Sequence, residues 1–336
     1  MIKKIMLSTF KFISRILIVF CLTFNFTNVL ASTNDFNEWL LSFKERALNE
    51  GVSENTFDLV FENVKFLDQV IKYDRKQPEF FEDTITYVTK RASDSRAKKA
   101  KQLLKKNKNL FLKVEAEFGV DKEILLSLWG IETNFGKHVG KMDIVSSLAT
   151  LSFDKRRSEF FTTQLLILLN LVDKKLIDPN SLYGSWAGAY GNFQFMPSTI
   201  NRYAIDYDKN NKIELKDSLD DSLASAANYI SKIGWNMNEP CFYRVELTKN
   251  ISKKYINLSA RKIKNKLKVK SWKKKGVLIM DDFNPSDNLK AALIMPDGKA
   301  NSPTYIVFNN YEKILKWNRS LRFGITVCTL AEMIKS

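Results

Sequence analysis

Residues 121–136 have the sequence DKEILLSLWGIETNFG, in which an apolar helix is predicted to end on a carboxylate. The run opens on Asp121, an acidic helix cap, and strong helix formers follow it. Ile124 and Leu128 precede Glu132 by eight and four residues, which places Glu132 on the apolar face of that helix. Loss of hydration and the negative end of the helix dipole both favour the protonated form of such a carboxyl group. Glu132 is therefore a candidate general acid for neutral pH. A buried glutamate neutralised by hydrogen bonds or by an arginine is the alternative interpretation.

The N-terminus has the pattern of a secretory signal peptide. The apolar run of residues 16–29 ends near the small residue Ala31, and four basic residues precede it: Lys3, Lys4, Lys11 and Arg15. We expect residues 1–31 to be a signal peptide that is cleaved after Ala31, so that the mature chain is exported to the periplasm. A retained membrane anchor is the alternative, although polar residues interrupt the apolar run.

Composition limits the classes of partner and site. The 336 residues carry a formal net charge of +16, and residues 249–275 hold 12 lysines or arginines without an acidic residue. For an exported chain this favours an anionic envelope polymer or a membrane surface over nucleic acid, and a solvated lysine face that binds nothing is the alternative. The lone His138 excludes a multi-histidine metal site. Cys241 and Cys328 either pair in an oxidising compartment or remain free thiols.

The order of patterns predicts an α+β protein that is mainly α. Amphipathic helical segments fill residues 32–113, including one long charged helix from about Thr89 to Phe111. Residues 241–303 change to short alternating runs separated by Gly and Pro, which predicts a small β-rich insert. Within it, the alternation of residues 266–270 (KLKVK) predicts a strand with one charged face.

Residues 183–199 form a second informative block, YGSWAGAYGNFQFMPST. Small residues, aromatic rings and one amide alternate in it, a composition that suits a loop and a following helix along a sugar groove. Aromatic faces stack on pyranose rings, while glutamine and serine groups hydrogen-bond to ring substituents. A tight turn that packs on the core is the alternative.

Together the two blocks resemble the lytic murein transglycosylases of the B type, glycoside hydrolase family 103. The resemblance covers nearly the whole mature chain and rests on five ordered motifs: YDRKQPEF at 73–80, LATLSFDKRR at 148–157, GSWAGA at 184–189, QFMPS at 194–198 and WNRS at 317–320. It implies a lysozyme-like catalytic core over residues 114–240. It also implies that the C-terminal helical segment, residues 304–336, packs back near the active site.

The resemblance implies that Glu132 is the only catalytic acid and base. The family cleaves the β-1,4 bond between N-acetylmuramic acid and N-acetylglucosamine and forms 1,6-anhydromuramic acid ends, without a catalytic cofactor. The residues carried over as sugar contacts are Ser185, Gln194, Tyr229, Trp317 and Asn318.

Two alternatives remain open from the residues. A muramidase that uses water needs a second carboxylate, and the sequence does not place Asp143, Asp154 or Glu159. A wall-binding scaffold whose catalysis is vestigial is the other alternative. We expect peptidoglycan strands as partners, with cell-wall synthesis or remodelling proteins as further candidates, no nucleic acid, and a monomer.

Residues 206–217 (DYDKNNKIELKD) follow the twelve-residue spacing of an EF-hand loop. The predicted ligands are the side chains of Asp206, Asp208 and Asn210, the backbone carbonyl of Lys212, and Asp217. Relatives of this type bind calcium at such a loop. Asn replaces the usual glycine at loop position 6, and Asp217 is shorter than the usual glutamate. We expect a weak structural calcium site, and a polar turn that has lost the ion is the alternative.

Overall fold

The structure is a computed structural model that describes residues 35–76, 82–237, 239–280, 285–299 and 301–336. The predicted signal peptide lies outside these ranges. Within them, no helix is both long enough and apolar enough to cross a membrane.

Most of the described chain is helical. The helices are α1 (35–49), α2 (Glu54–Phe61), α3 (Asp68–Arg75), α4 (Thr84–Arg91), α5 (Asp94–Lys106), α6 (Lys108–Phe118), α7 (Lys122–Thr133), α8 (Ile144–Phe153), α9 (Ser158–Asp173), α10 (Pro197–Tyr203), α11 (Leu219–Lys232), α12 (Val269–Lys274), α13 (Asn309–Trp317) and α14 (Leu321–Lys335). The strands are β1 (Met142–Asp143), β2 (Tyr183–Gly184), β3 (Phe242–Leu247), β4 (Ile256–Asn257), β5 (Leu267–Lys268), β6 (Val277–Ile279), β7 (Lys290–Ile294) and β8 (Thr304–Val307). The predicted fold class, mainly α with a small β part, is confirmed.

Helix α7 lies in the interior of the main core. Its residues from Ile124 to Gly130 are all buried, as expected for a helix that is apolar on every side. Helix α14 packs against α7 and also contacts α4, α5 and α13. Helices α8 and α9 pack on each other, and α10 covers α9. The C-terminal helix therefore returns to the helix that carries Glu132.

The long charged helix predicted over residues 89–111 is wrong, because the chain breaks there twice. The hydroxyl of Ser93 accepts a hydrogen bond from the backbone N–H of Arg96 at 3.4 Å and caps the start of α5. Asn107 ends the same helix, and its side-chain amide donates to the carbonyl of Leu103 at 3.0 Å. Short polar side chains of this kind offer the backbone local hydrogen bonds that compete with a continuous helix.

The β-rich region is a six-stranded sheet with a small core of its own. Its strand order is β4-β7-β8-β3-β6, β5 pairs with β7, and only the β4–β7 pair is parallel. The strand predicted over residues 266–270 extends only over Leu267–Lys268, because Val269 begins α12. Val269 and Trp272 are three residues apart and both buried, a helical spacing that the short alternation concealed. Strand β8 lies just beyond the predicted limit at residue 303.

Two connections hold the β-rich region to the helical core. Cys241, just before β3, forms a disulfide bond with Cys328 of α14, and their Cα atoms are 6.2 Å apart. The carboxylate of Asp297 accepts hydrogen bonds from the Thr84 hydroxyl at 2.6 Å and from Arg322 at 2.7 Å. Burial by itself raises the pKa of Asp297, but these hydrogen bonds outweigh it and lower that pKa below its usual value.

A buried carboxylate connects the N-terminal helices to the α8–α9 turn. Asp74 of α3 is 1% exposed and accepts hydrogen bonds from three guanidinium groups, which belong to Arg75, Arg156 and Arg157. Arg75 also pairs with Asp154 at 2.9 Å. Residues 73–76, the described part of the motif at 73–80, therefore meet the motif at 148–157, since a buried carboxylate needs charged partners. Residues 77–80 of the first motif lie outside the described residues.

Candidate active site

Glu132 lies in the last turn of α7, where the backbone makes an unusual exit. Asn134, Phe135 and Gly136 all have positive φ, at 51°, 61° and 80°. The ring of Phe135 packs edge-on against Trp129, with centroids 5.6 Å apart. It also covers Gly130, where an added Cβ would lie 2.8 Å from a ring carbon. The absence of a side chain at Gly130 thus makes room for the ring of Phe135. Packing of this ring holds Phe135 at a positive φ, which is unfavourable for a bulky residue.

The indole of Trp317 holds the carboxyl group of Glu132. Trp317 is the last residue of α13, and its Nε1–H donates to Oε1 of Glu132 at 3.0 Å. An indole can only donate, so Oε1 acts as the acceptor. This contact orients the carboxyl group. The sequence placed Trp317 among sugar contacts and did not indicate this bond.

Aromatic rings surround the Trp317–Glu132 pair. Trp317 stacks on Tyr229 with centroids 5.1 Å apart, and it packs edge-on against Phe193 and Phe195. Tyr229 also stacks on Tyr203 at 4.5 Å. The Tyr229 hydroxyl donates to the Lys316 carbonyl at 3.0 Å, and burial raises the pKa of Tyr229 to about 12. The structure thus brings together Glu132, Tyr229 and Trp317 in one aromatic-lined cluster.

Ser185 and Gln194 stabilise the loop between β2 and α10 with part of their hydrogen-bonding capacity. The Ser185 hydroxyl oxygen accepts from the backbone N–H of Ala187 and Ala189, at 3.3 and 2.9 Å, which leaves its O–H as a donor. The side-chain nitrogen of Gln194 donates to the carbonyls of Val139 and Gly191, both at 3.0 Å. Its amide oxygen is thereby oriented as an acceptor. Asn318 follows α13 directly as its C-terminal cap, next to Trp317.

Sequence reasoning missed Asn192, which connects α7, the helix that carries Glu132, to the predicted metal loop. Its Oδ1 accepts the indole N–H of Trp129 at 3.0 Å, and its carbonyl accepts the hydroxyl of Thr133 at 2.8 Å. Its backbone N–H donates to the carbonyl of Leu215 at 2.8 Å, and its side-chain nitrogen to that of Lys216, also at 2.8 Å. Asn192 thus satisfies four buried polar groups, two through its side-chain amide and two through its backbone.

Each of the three acidic residues that the sequence left unplaced has a structural partner. Asp143 caps α8 by accepting the backbone N–H of Ser146 at 2.5 Å. Asp154 pairs with Arg75 at 2.9 Å, and Glu159 pairs with Arg46 at 3.1 Å. These contacts account for the carboxylates as parts of the scaffold.

The acidic loop after α10 gathers carboxylate oxygens, and one of them comes from outside the predicted twelve-residue loop. Among the described residues, carboxylate oxygens of Asp206, Asp208 and Asp221 lie within 4.8 Å of one another. Desolvation and the negative charges of Asp221 and Asp206 raise the pKa of Asp208, as expected for acids gathered without a counter-charge. An all-oxygen set with this repulsion suits a hard cation such as Ca²⁺.

Asp221, which lies outside the twelve-residue loop, is the third carboxylate beside Asp206 and Asp208, and Asp217 is not part of this cluster. Leu215 is 2% exposed, so the chain enters the core there and emerges with the Asp217 side chain in solvent. Asp221 lies in the first turn of α11, where the Ser218 hydroxyl accepts its N–H at 3.2 Å. Its carboxylate accepts the backbone N–H groups of Tyr207 at 2.7 Å and Glu214 at 2.9 Å. Asn210 stays in the loop: its side chain donates to Asp208 at 3.2 Å, and its Oδ1 accepts the N–H of Lys212 at 2.9 Å.

Comparison with known proteins agrees with this fold. The profile of the Transglycosylase SLT domain matches residues 35–332. The chain belongs to this family.

Two of the proteins that this chain resembles are lytic transglycosylases by name. The membrane-bound lytic murein transglycosylase B of Escherichia coli (strain K12) is 42% identical over 119 residues, which make up 35% of this chain and 33% of that relative. The alignment thus spans about one third of that relative's length. Crystal structures of SltB3 from Pseudomonas aeruginosa, in complex with NAG-anhNAM-pentapeptide or NAG-NAM-pentapeptide, superpose with a TM-score of 0.82 at 32% identity over 90% of this chain and 80% of theirs. The soluble lytic transglycosylase SltB1 from the same organism gives 0.78 at 26% identity over 88% of this chain and 98% of its own.

Proposed function

We propose that this protein is a lytic transglycosylase that cleaves the β-1,4 bond between N-acetylmuramic acid and N-acetylglucosamine in peptidoglycan. The observation that carries the proposal is the Glu132 carboxyl group, held by Trp317 at 3.0 Å beside a cluster of aromatic rings. Membership of the family and the SltB3 complexes with glycan–peptide fragments support the same substrate class.

The mechanism needs only one carboxyl group. Protonated Glu132 transfers its proton to the glycosidic oxygen as the bond from that oxygen to the anomeric carbon breaks. The resulting carboxylate takes the proton of the muramyl 6-hydroxyl, whose oxygen forms the new bond to the anomeric carbon. The atoms balance without water, and the enzyme recovers its proton. The structural partners of Asp143, Asp154 and Glu159 support this route over one that uses a second carboxylate to activate water.

The substrate groove would use the residues around this cluster. The ring of Trp317 is sized for a pyranose face, and Tyr229, which stacks on Trp317 and Tyr203, would meet the sugars at its edge. The amide oxygen of Gln194 accepts a hydroxyl or amide N–H, and the Ser185 hydroxyl donates. Asn318 supplies a further amide beside Trp317. Together with Glu132, these residues are the proposed contacts to the sugars.

We also propose that the protein works in the cell envelope. The disulfide between Cys241 and Cys328 suits an oxidising compartment. The pattern of residues 1–31 suits export, and the E. coli relative is described as membrane-bound.

The principal test is product analysis of purified murein digested by the wild type and by Glu132→Gln. We expect the wild type to release 1,6-anhydromuramyl ends and the variant to release none. Glu123→Gln is the matched control, because it makes the same change in the first turn of the same helix. Reducing muramyl ends, heavier by one water, would identify a muramidase instead. A wild type that binds murein without cleaving it would identify a scaffold.

A structural Ca²⁺ ion is the second part of the proposal, with Asp206, Asp208 and Asp221 as carboxylate ligands beside Asn210 and the Lys212 carbonyl. A Ca²⁺ complex of the E. coli lytic transglycosylase Slt35, 24% identical, has the same fold. We expect Ca²⁺ at 100 times its dissociation constant to stabilise the chain by about 2.7 kcal/mol.

Thermal unfolding in Ca²⁺ and in chelator tests this assignment. Asp208→Asn should abolish the calcium-dependent rise in melting temperature, whereas Asp217→Asn should leave it intact. The reverse result would restore the twelve-residue spacing as the correct ligand set, and no calcium effect on the wild type would leave a polar turn without an ion.

A further inference from the structure

Basic side chains lie along α13 and just beyond its C-terminal residue, Trp317. We define the cationic row as Lys266, Lys313, Lys316 and Arg319. Lys313 and Lys316 are three residues apart on one helix and therefore neighbours on its surface. Lys266, from the β-rich region, pairs with Glu312 of the same helix and so brings a further basic residue to this face.

The charges of this row are largely uncompensated by the protein. Among the described residues, Lys313, Lys316 and Arg319 form no ion pair within 4.0 Å, and only Lys266 has an acidic partner. Partial burial, followed by repulsion from Lys316 and Lys266, lowers the pKa of Lys313, and the opposing attraction of Glu312 and Glu239 is too weak to restore it. Like charges on neighbouring helix positions destabilise a helix, so their alignment has a cost within the free protein.

The row ends at the proposed active site. The carbonyl of Lys316 accepts the Tyr229 hydroxyl at 3.0 Å, and the next residue, Trp317, hydrogen-bonds to Glu132. Arg319 and Arg202 lie close enough to Tyr229 to act electrostatically on its phenol. A ligand that reaches from the aromatic cluster along α13 therefore meets several cations in succession.

A solvated lysine face explains other basic parts of the chain better than it explains this one. Lys270 and Lys274 of α12 are exposed and have no ion pair among the described residues, as is usual for a soluble basic protein. Lys313, in contrast, is half-buried, and its ammonium group lies near Gly234, where an added Cβ would be 3.3 Å away. Glu312 and Glu239 act on Lys313 electrostatically without forming an ion pair within 4.0 Å. Because partial desolvation of a cation is unfavourable, an anionic ligand that contacts Lys313 directly would offset part of this cost.

We propose that the cationic row binds the free carboxylates of the peptide stems on the glycan strand while the sugars occupy the site at Glu132. This inference rests on the proposed function. The stems project from muramic acid along the strand, so carboxylates recur beside the bond to be cleaved. Stem-bearing strands should accordingly bind more tightly than bare glycan, and the difference should decrease with salt because the charges are partly exposed.

The test measures binding separately from cleavage. Fluorescently labelled murein strands are titrated into Glu132→Gln, which keeps the groove and removes turnover. Three ligands are compared: stem-bearing strands, strands whose stems an amidase has removed, and stem-bearing strands whose carboxylates are converted to amides. The test variant adds Lys313→Gln and Lys316→Gln. The matched control adds Lys270→Gln and Lys274→Gln, with the same loss of two charges.

We expect the test variant to bind stem-bearing strands about twofold to thirtyfold more weakly at low salt, the range for two exposed charge pairs. Its affinity for stripped or amidated strands should equal that of the Glu132→Gln parent, and the control variant should match the parent on all three ligands. Equal losses on all three ligands, equal losses in the control, or no loss would each overturn the proposal. Failure of the wild type to cleave stripped glycan would instead count against the proposed function, since that cleavage does not involve the stems.

Discussion

Removing one N–H group at Trp317 should impair catalysis while leaving the fold intact. In Trp317→Phe, a ring still packs against Tyr229, Phe193 and Phe195, but the donor 3.0 Å from Oε1 of Glu132 is lost. The carboxyl group then loses the contact that fixes its orientation. The glycosidic oxygen and the muramyl hydroxyl would meet a less well aligned acid and base.

The size of the effect follows from the single bond that is removed. A hydrogen bond to a charged group contributes about 1.5–3 kcal/mol, and each 1.4 kcal/mol corresponds to about tenfold in rate. We therefore expect kcat for release of anhydro ends to fall about 10- to 150-fold. KM should change little, because the ring that contacts the sugar is retained.

Steady-state kinetics on soluble murein strands, with circular dichroism to monitor folding, would measure this. Trp272→Phe is the matched control, because its indole N–H donates to the Ala291 carbonyl at 2.8 Å in the separate core of the β-rich region. That variant should lose stability and keep its kcat. A Trp317→Phe enzyme with wild-type kcat would refute the orienting role. A rise in KM alone would indicate that Trp317 only contacts the sugar.

Three further predictions concern stability. Gly188 has a φ of +85°, and a Cβ added there would lie 2.4 Å from a methyl group of Leu148, so Gly188→Ala should destabilise the fold by about 2 kcal/mol or more in urea unfolding. Gly119 has a φ of +63° and open space around it, so Gly119→Ala should lose only about 1 kcal/mol. Equal losses in the two variants would contradict the packing argument. The pKa of Asp297 is lowered in the folded state, so its contribution is present above the unfolded value near 3.8 and is lost as pH falls through the folded pKa. Asp297→Asn should therefore be less stable than the wild type at pH 7 and approach it in strong acid, and a constant difference across this range would show that the pKa is not lowered. Reduction of the disulfide between Cys241 and Cys328 should cost about 4.6 kcal/mol in the loop-entropy description of an 87-residue separation. A urea midpoint that is the same with and without reductant would contradict this prediction.

Local chemistry made parts of the fold predictable. The helix that ends on Glu132 was recognisable because its apolar spacing and its acidic start are encoded within about a dozen residues. The same reasoning failed where two local signals competed. At Ser93 a polar side chain interrupts a charged helix, and at Val269 a helix begins inside an alternating pattern.

The predicted metal loop shows a different limit of prediction from the sequence. Spacing identified Asp206 and Asp208, because their separation is a property of the loop itself. The third carboxylate depends on where the chain enters the core at Leu215, and that position turns Asp217 outward and Asp221 inward. No spacing rule within the loop contains this information.

The sequence by itself determined that Glu132 ends an apolar helix and that small and aromatic residues follow it in a block typical of a sugar groove. Periodicity and chain stiffness act over a few residues, so these features are written locally. Only the tertiary structure decided what holds the Glu132 carboxyl group: the indole of Trp317, 185 residues further along the chain. That contact exists because α14 packs on α7 and α13 packs on α14, and the sum of many weak apolar contacts fixes those positions.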